Sequence, residues 1–372
     1  MDRALKKCNN TIITLEELEY AYMSVAAKRW MLVVDTSFMF LPSEIKDFYK
    51  KHEDNCIVFN GFAANPKYED VCCGVEICKR NGCALIVAIG GGSTIDVAKC
   101  IKLFSGLNSQ INFLEQKNLY EKESDINLIA MPTTAGTGSE STKHAVIYYE
   151  GVKQSICSAQ IIPDLVVLEP SVLKTLPLKQ KSATMLDALC QACESWWSKN
   201  ATKESIGYSK CAIERIIRNW KAYNIDGYDK KVALEMLQAA NYAGRAINIT
   251  ATTAAHAMSY KLSSLYNLPH GIAVALCFPI VWRYMIAKDD EHLNAVFKEI
   301  ADMFKCNGSI MGVLYFEKIL TDLEIKHPIS NNKERDVKIL VDSVNPERLS
   351  NNPIAFKKEE LREMYEEIID ES

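Results

Sequence analysis

The run Ala84-Leu85-Ile86-Val87-Ala88-Ile89 passes directly into Gly90-Gly91-Gly92-Ser93, and Thr94-Ile95-Asp96-Val97-Ala98-Lys99 follows at once. Six consecutive apolar residues suit a strand buried on both faces. The glycines allow a sharp turn and close approach to a ligand, and a helix opening near Ser93 presents unpaired N–H groups and a positive dipole end. Together these suit a pyrophosphate, although the residues match neither G-x-G-x-x-G nor the Walker A pattern. The competing reading is a tight turn that only ends a buried strand.

Apolar runs at 30–34, 56–59, 126–131 and 165–168 repeat the strand pattern of 84–89. Amphipathic stretches such as 43–52 and 69–81 are long enough for crossover helices, so this half predicts a mostly parallel sheet with helices on its faces. After Pro177 the pattern becomes helical, with helix-period segments at 178–197, 202–222, 230–266, 271–288, 291–305, 309–323 and 357–370 and no convincing strand. Pro163, Pro170 and Pro177 punctuate the change. The predicted division is an α/β dinucleotide-binding domain over 1–177 and a helical domain over 178–372, and 372 residues are ample for two domains.

Charge excludes one function class. There are 43 Lys+Arg against 47 Asp+Glu, a net charge of −4, and no long basic cluster, so no nucleic-acid partner is expected. The 13 cysteines are odd in number and sit in a chain too long to need staples, which suggests free thiols in a reducing cytoplasm. No apolar stretch follows residues 1–7, so no signal peptide is expected. Residues 262–282 lack Asp, Glu, Lys and Arg, yet Asn267, Pro269, His270, Gly271 and Pro279 are expected to break them into pieces too short for a bilayer.

A second small-residue loop, Pro132-Thr133-Thr134-Ala135-Gly136-Thr137-Gly138-Ser139-Glu140, follows the strand at 126–131. Neighbouring loops at the carboxyl ends of parallel strands are where α/β sheets bind dinucleotides. Asp35, ending the run 30–34, can accept from an adenosine ribose and would repel a 2′-phosphate, which favours NAD(H) over NADP(H).

In the helical half, Asp187 and Gln191 are four apart and project from one helix face. His256 lies in the apolar stretch Ala254-Ala255-His256-Ala257-Met258, and His270 stands between Pro269 and Gly271. One carboxylate, one amide oxygen and two imidazoles could hold Fe(II) or Zn(II). The alternative is two satisfied core histidines and a helix charge. Cys190 and Cys193 form a CxxC without a second pair, which argues against structural zinc.

Taken in order, these motifs resemble the iron-containing (group III) alcohol dehydrogenases. They are Gly90-Gly91-Gly92-Ser93 with Asp96 and Lys99, the loop from Pro132 to Glu140, Asp187-Ala188-Leu189, His256 and Pro269-His270-Gly271. The resemblance covers roughly 25–290. It implies a dehydroquinate-synthase-like fold, with an N-terminal Rossmann-like domain, a C-terminal helical domain and the site between them. It also implies reversible reduction of an aldehyde to a primary alcohol with NAD(P)H, and it is compatible with a homo-oligomer.

By the same resemblance, Gly91, Gly92, Ser93 and Asp96 belong to the pyrophosphate loop, and Thr133, Thr134 and Thr137 to the second cofactor loop. Asp35 reads the ribose, and Asn65 and Lys153 contact the cofactor. The metal ligands are Asp187, Gln191, His256 and His270. Two positions depart from the family: it usually has His at 191 and another His at 260, where this chain has Gln191 and Tyr260.

These departures resemble the phosphonoacetaldehyde reductase subgroup, which makes 2-hydroxyethylphosphonate. On that reading Lys261, with Lys143 and His144, anchors a small anionic aldehyde, since a phosphonate needs cationic donors. The expected mechanism is Lewis-acid activation of the carbonyl, hydride delivery from the nicotinamide, and proton supply through water, a ribose hydroxyl or Tyr260. A dehydrogenase for neutral alcohols, a dehydroquinate-synthase-type cyclase and a non-catalytic NAD-binding protein are the alternatives.

Overall fold

The computed structural model describes residues 10–19 and 29–371. The expectation drawn from residues 1–7 lies outside them. The strands are β1 (Thr11–Ile13), β2 (Trp30–Val34), β3 (Cys56–Phe59), β4 (Leu85–Gly90), β5 (Asn127–Pro132), β6 (His144–Tyr149), β7 (Val152–Cys157), β8 (Leu165–Val167), β9 (Ile329–Ser330) and β10 (Asp370–Glu371). The helices of the first half are α1 (Leu15–Glu17), α2 (Ser43–Lys51), α3 (Tyr68–Asn81) and α4 (Gly92–Ser105). Those that follow are α5 (Leu178–Trp197), α6 (Lys203–Tyr223), α7 (Lys230–Thr250), α8 (Ala254–Tyr266), α9 (His270–Ile286), α10 (Glu291–Met303), α11 (Ser309–Asp322), α12 (Lys333–Ser343), α13 (Pro346–Leu349) and α14 (Lys358–Ile368).

Two compact units emerge, residues 1–176 with 228–237, and 177–227 with 238–372. The first two turns of α7 therefore group with the α/β unit, although they lie far beyond 177 in sequence.

The α/β unit is built on a six-stranded parallel sheet in the order β1-β8-β5-β4-β2-β3. All five residues of β2 are buried. Met31 and Val33 join the core formed with α3, α4 and the β6–β7 hairpin, while Trp30, Leu32 and Val34 are buried on the opposite face. That two-sided burial explains the unbroken apolar run. From β2 the chain adds β3 on one side and then returns to place β4 on the other. The carboxyl ends of β2 and β4 are therefore the topological switch point, where open α/β sheets bind ligands.

Two features of this unit lie outside the sequence expectations. Three-residue β1 pairs with β8 at the edge, so 30–34 is not the first strand. The antiparallel β6–β7 hairpin closes on Glu150 (φ 51°) and Gly151 (φ 75°), a two-residue loop of positive φ that matches the natural strand twist.

The helical unit packs around α5 and α9. Residues 271–282 of α9 are all buried, and Phe278 and Trp282 lie against Trp197, with Phe297 and Phe316 completing the aromatic core. Helix α9 continues through Pro279, which corrects the expected break there; only Asn267–Pro269 interrupts 262–282. Among the described residues no helix is long and apolar enough to cross a membrane.

The segment expected as one helix over 230–266 is two. Ala251 takes a left-handed φ of 59°, and Asn351 Nδ2 donates to the carbonyls of Thr250 (2.7 Å) and Thr252 (2.8 Å). The break is thus held from a hundred residues away. The short parallel pair β9–β10 corrects the expectation of a strand-free second half; two residues per strand are too few to show alternation. The twelve described cysteines are free thiols.

Candidate active site

At the switch point, Asp35 is joined to the glycine turn. Its Oδ2 accepts from Thr94 Oγ1 at 2.6 Å and its Oδ1 from Ser37 N at 2.8 Å, leaving each oxygen a lone pair for a ribose hydroxyl. Helix α4 opens at Gly92 with Gly91 as its N-cap, and no side chain caps it. Its first-turn N–H groups are therefore available to an anion.

The second loop packs directly on this turn. Thr133 N donates to Gly90 O at 3.0 Å. A Cβ on Gly92 would stand 2.9 Å from Thr137 Oγ1, and one on Gly91 would stand 3.7 Å from Thr134. The structure thus brings Asp35, Gly91, Gly92, Ser93, Thr133, Thr134 and Thr137 together.

Asp96 faces the other way. Its carboxylate accepts from Ser139 Oγ (2.6 Å) and Val146 N (2.9 Å), tying α4 to the second loop and to β6. Burial pushes its carboxyl upward, opposed by Lys99 and these hydrogen bonds. Fully buried Lys99 donates to Thr142 O and His144 O, both at 2.8 Å, and to the hydroxyls of Ser139 and Thr142. Burial lowers its pKa to about 8 against the pull of Asp96 and Glu140.

Asn65 is an exposed left-handed residue (φ 58°), and the following Pro66 accepts from Tyr148 N at 2.8 Å. Tyr148 pairs across the hairpin with Lys153, so Asn65 and Lys153 flank the same strand. His144 begins that strand and alternates with the core residues Ala145 and Ile147. Lys143 precedes it and is half-buried.

In the helical unit, Asp187 and Gln191 stand one turn apart on α5, His256 in the first turn of α8, and His270 at the start of α9. His256 Nε2 lies 3.2 Å and His270 Nε2 3.9 Å from Asp187 Oδ1. One ligand atom from each of the three residues falls within 4.8 Å of the others. Close packing sets α9 here: a Cβ on Gly271 would lie 1.9 Å from Ala183 O and 2.9 Å from Asp187 Cβ.

Sequence reasoning missed Glu194. Its fully buried carboxylate holds His256 Nδ1 and accepts from Thr253 Oγ1 (2.8 Å), Thr253 N (3.2 Å) and His256 N (3.3 Å). It caps α8 from another helix, where the dipole favours an anion. Its position was legible, since Asp187, Gln191 and Glu194 follow the i, i+4, i+7 spacing of one helix face. Burial alone would depress the His256 pKa, but Glu194 and Asp187 outweigh it and raise it to about 9. For Asp187, burial raises the carboxyl, and the histidines with Gln191 bring it below its ordinary value.

Tyr260 projects from α8 one turn after His256, and its ring stacks on His270 with centroids 5.4 Å apart and planes at 14°. Arg348, on α13, bonds the Tyr260 hydroxyl, its guanidinium carbon 4.7 Å from the ring centroid. Arg348 was not foreseen, being 88 residues from Tyr260. Lys261 is exposed, ~100° further round α8 than Tyr260.

A family model described as Iron-containing alcohol dehydrogenase matches residues 12–170, and one described as Fe-containing alcohol dehydrogenase family, C-terminal, matches 181–369. The chain belongs to the iron-containing alcohol dehydrogenase family. It is an oxidoreductase of that family and has its fold. It is similar to alcohol dehydrogenase 4 of Saccharomyces cerevisiae, 30% identical over 68% of this chain and 67% of that protein. It is similar to 4-hydroxybutyrate dehydrogenase of Clostridium kluyveri, 30% identical over 76% of this chain and 78% of that one. Among solved structures, sulfoacetaldehyde reductase of Bifidobacterium kashiwanohense in complex with NAD+ superposes with a TM-score of 0.86, at 24% identity and 97% coverage of both chains.

The family's metal can be tested on the residues present. Gln191 Nε2 donates to Asp187 Oδ2 at 3.1 Å, while its buried Oε1 meets no hydrogen-bond partner. An unmatched buried carbonyl costs about 1–3 kcal/mol, and a cation beside Asp187 would satisfy it. Two imidazoles, a carboxylate and that oxygen form a donor set that fits a divalent ion of the iron or zinc kind.

Proposed function

We propose that this iron-containing alcohol dehydrogenase family member reduces a small anionic aldehyde to its primary alcohol with NADH, phosphonoacetaldehyde to 2-hydroxyethylphosphonate being the specific reaction. The observation that carries the reductase reading is the Asp187–His256–His270 cluster with the unmatched carbonyl of Gln191 beside it. The anionic substrate is supported by Gln191 and Tyr260 standing where the family usually has histidine. It is also supported by two similar proteins named for sulfoacetaldehyde and 4-hydroxybutyrate, both of which carry an anionic end.

When bound, the divalent ion supplies Lewis acidity and the dinucleotide supplies a hydride donor. The chain's own part begins with Gly91, Gly92, Ser93 and the start of α4, which receive the pyrophosphate. Thr133, Thr134 and Thr137 line the facing loop. Asp96 and Lys99 hold that loop in place from behind. Asn65 and Lys153, joined through Tyr148, border the cofactor, and Asp35 selects NADH because its carboxylate would repel a 2′-phosphate. Asp187, Gln191, His256 and His270 hold the ion, with Glu194 fixing the His256 ring. Tyr260, stacked on His270, carries a hydroxyl that serves in the proton path. Lys143 and His144 assist at the anionic end.

A neutral alcohol is the second reading, favoured by the exposure of Lys261, the residue expected to anchor the anion. The test follows NADH and NADPH oxidation with phosphonoacetaldehyde and with propanal, with and without added Fe(II) or Zn(II). The proposal expects metal-dependent turnover, NADH over NADPH, and higher kcat/KM for phosphonoacetaldehyde. Full activity after chelation, or a preference for propanal, would overturn the corresponding part.

A further inference from the structure

Arg348 reaches the candidate metal cluster through two ring contacts. Its guanidinium lies on the Tyr260 ring, and that ring lies on His270. Nη1 bonds the Tyr260 hydroxyl; among the described residues no carboxylate pairs with Arg348, and Nε and Nη2 have no hydrogen-bond partner. A half-buried guanidinium with one edge uncommitted presents the fork that matches an oxyanion bidentately.

The arginine is also preorganised. Its short helix α13 is N-capped by Asn345, whose Oδ1 accepts from Glu347 N (2.8 Å) and Arg348 N (3.2 Å). Three residues on, Asn351 fastens the segment to the break that starts α8, through the carbonyls of Thr250 and Thr252. Ser198 Oγ (3.1 Å) and Asn200 Nδ2 (2.7 Å) grip the same Asn351 oxygen from the end of α5. The strap is thus tied to the two helices that carry Asp187 and His256, so the guanidinium is held relative to the cluster before substrate arrives.

We infer that Arg348 is the specificity-determining residue of the pocket, receiving the oxyanion end of the aldehyde while Tyr260 holds the guanidinium in place. This assignment rests on the reading of an anionic aldehyde and replaces Lys261 as its anchor. The ligand chemistry is a tetrahedral or planar oxyanion one or two carbons from the carbonyl, whether phosphonate, sulfonate or carboxylate.

The metal-loaded, full-length enzyme tests it with phosphonoacetaldehyde, sulfoacetaldehyde and propanal, comparing wild type, Arg348→Met, Arg348→Lys and Lys261→Met. The readout is the ratio of kcat/KM for each anionic aldehyde to that for propanal, which cancels any general loss from a disturbed Tyr260. Arg348→Met should lower the ratio about 100-fold, chiefly through KM, given the strength of hydrogen bonds to charged groups. Arg348→Lys should recover part of it, and Lys261→Met should leave it within a few-fold of wild type. If wild type prefers anionic aldehydes and Arg348→Met keeps that preference, the Arg348 assignment is wrong while the substrate reading stands. If wild type shows no such preference, both fall.

Discussion

The carboxylate of Glu194 takes the Nδ1 side of His256, which turns the other ring nitrogen, Nε2, to within 3.2 Å of Asp187 Oδ1. With the Nδ1 proton donated to Glu194, a cation that displaced the Nε2 proton would find the lone pair of that nitrogen directed toward Asp187. One buried side chain thereby orients the imidazole, raises its basicity and caps the helix that carries it.

Glu194→Gln keeps the shape and removes the charge. Metal affinity should fall roughly 10–100-fold, the usual effect of losing such an outer partner. Competition against a coloured chelator measures this without recourse to activity. An unchanged dissociation constant would reduce Glu194 to a helix cap.

Gln191 contributes only a neutral oxygen to the proposed ligand set. Gln191→His should tighten metal binding by at least about tenfold, which is ~1.4 kcal/mol. The same chelator titration reads it, and weaker binding by the histidine variant would count against Gln191 as a ligand.

The nucleotide loops can be separated by one methyl group. Gly92→Ala puts a Cβ within 2.9 Å of Thr137 Oγ1 and 3.0 Å of its Cγ2, and a β-branched side chain on a packed loop has little room to yield. Overpacking of this kind costs about 1–3 kcal/mol. The KM for NADH should rise while metal affinity stays at the wild-type value; a normal NADH KM would show that Thr137 moves freely.

Lys99 links pH to stability. Its folded pKa of about 8 lies below its ordinary 10.5, so the unfolded chain binds more protons between those values. The native state therefore gains stability as pH rises through that window. Asp96, Glu140 and Cys100 are the titratable groups that act on it. Lys99→Met abolishes the term and removes the donor to Thr142 O, His144 O and the hydroxyls of Ser139 and Thr142, costing about 1–3 kcal/mol at pH 7. Denaturant melts at pH 7.5 and 9.5 should show the gap between wild type and variant widening; a gap that narrows would contradict the shift.

Much of this protein is written in local patterns. The strands at 30–34 and 56–59 and the helix at 178–197 are read to the residue, because two-sided burial demands unbroken apolar runs and an amphipathic helix repeats every 3.6 residues. The glycine turn, Asp35 and the four proposed metal ligands are likewise visible as residue types in order. Glu194 was legible by spacing and overlooked, because a buried glutamate and a solvated one look alike in sequence.

Other features carry no local mark. The break between α7 and α8 is held by Asn351, and Arg348 meets Tyr260 across 88 residues. Two-residue strands have no period, and Lys261 turns outward only because α8 packs its other face. By itself the sequence determined most strands of the sheet, the glycine turn and the residue types proposed as metal ligands, since each is read from a short local pattern. The tertiary structure alone decided which nitrogen of His256 faces Asp187, where α8 begins and which cation stands over Tyr260. Those depend on side chains brought together from distant segments, and such meetings obey no sequence period.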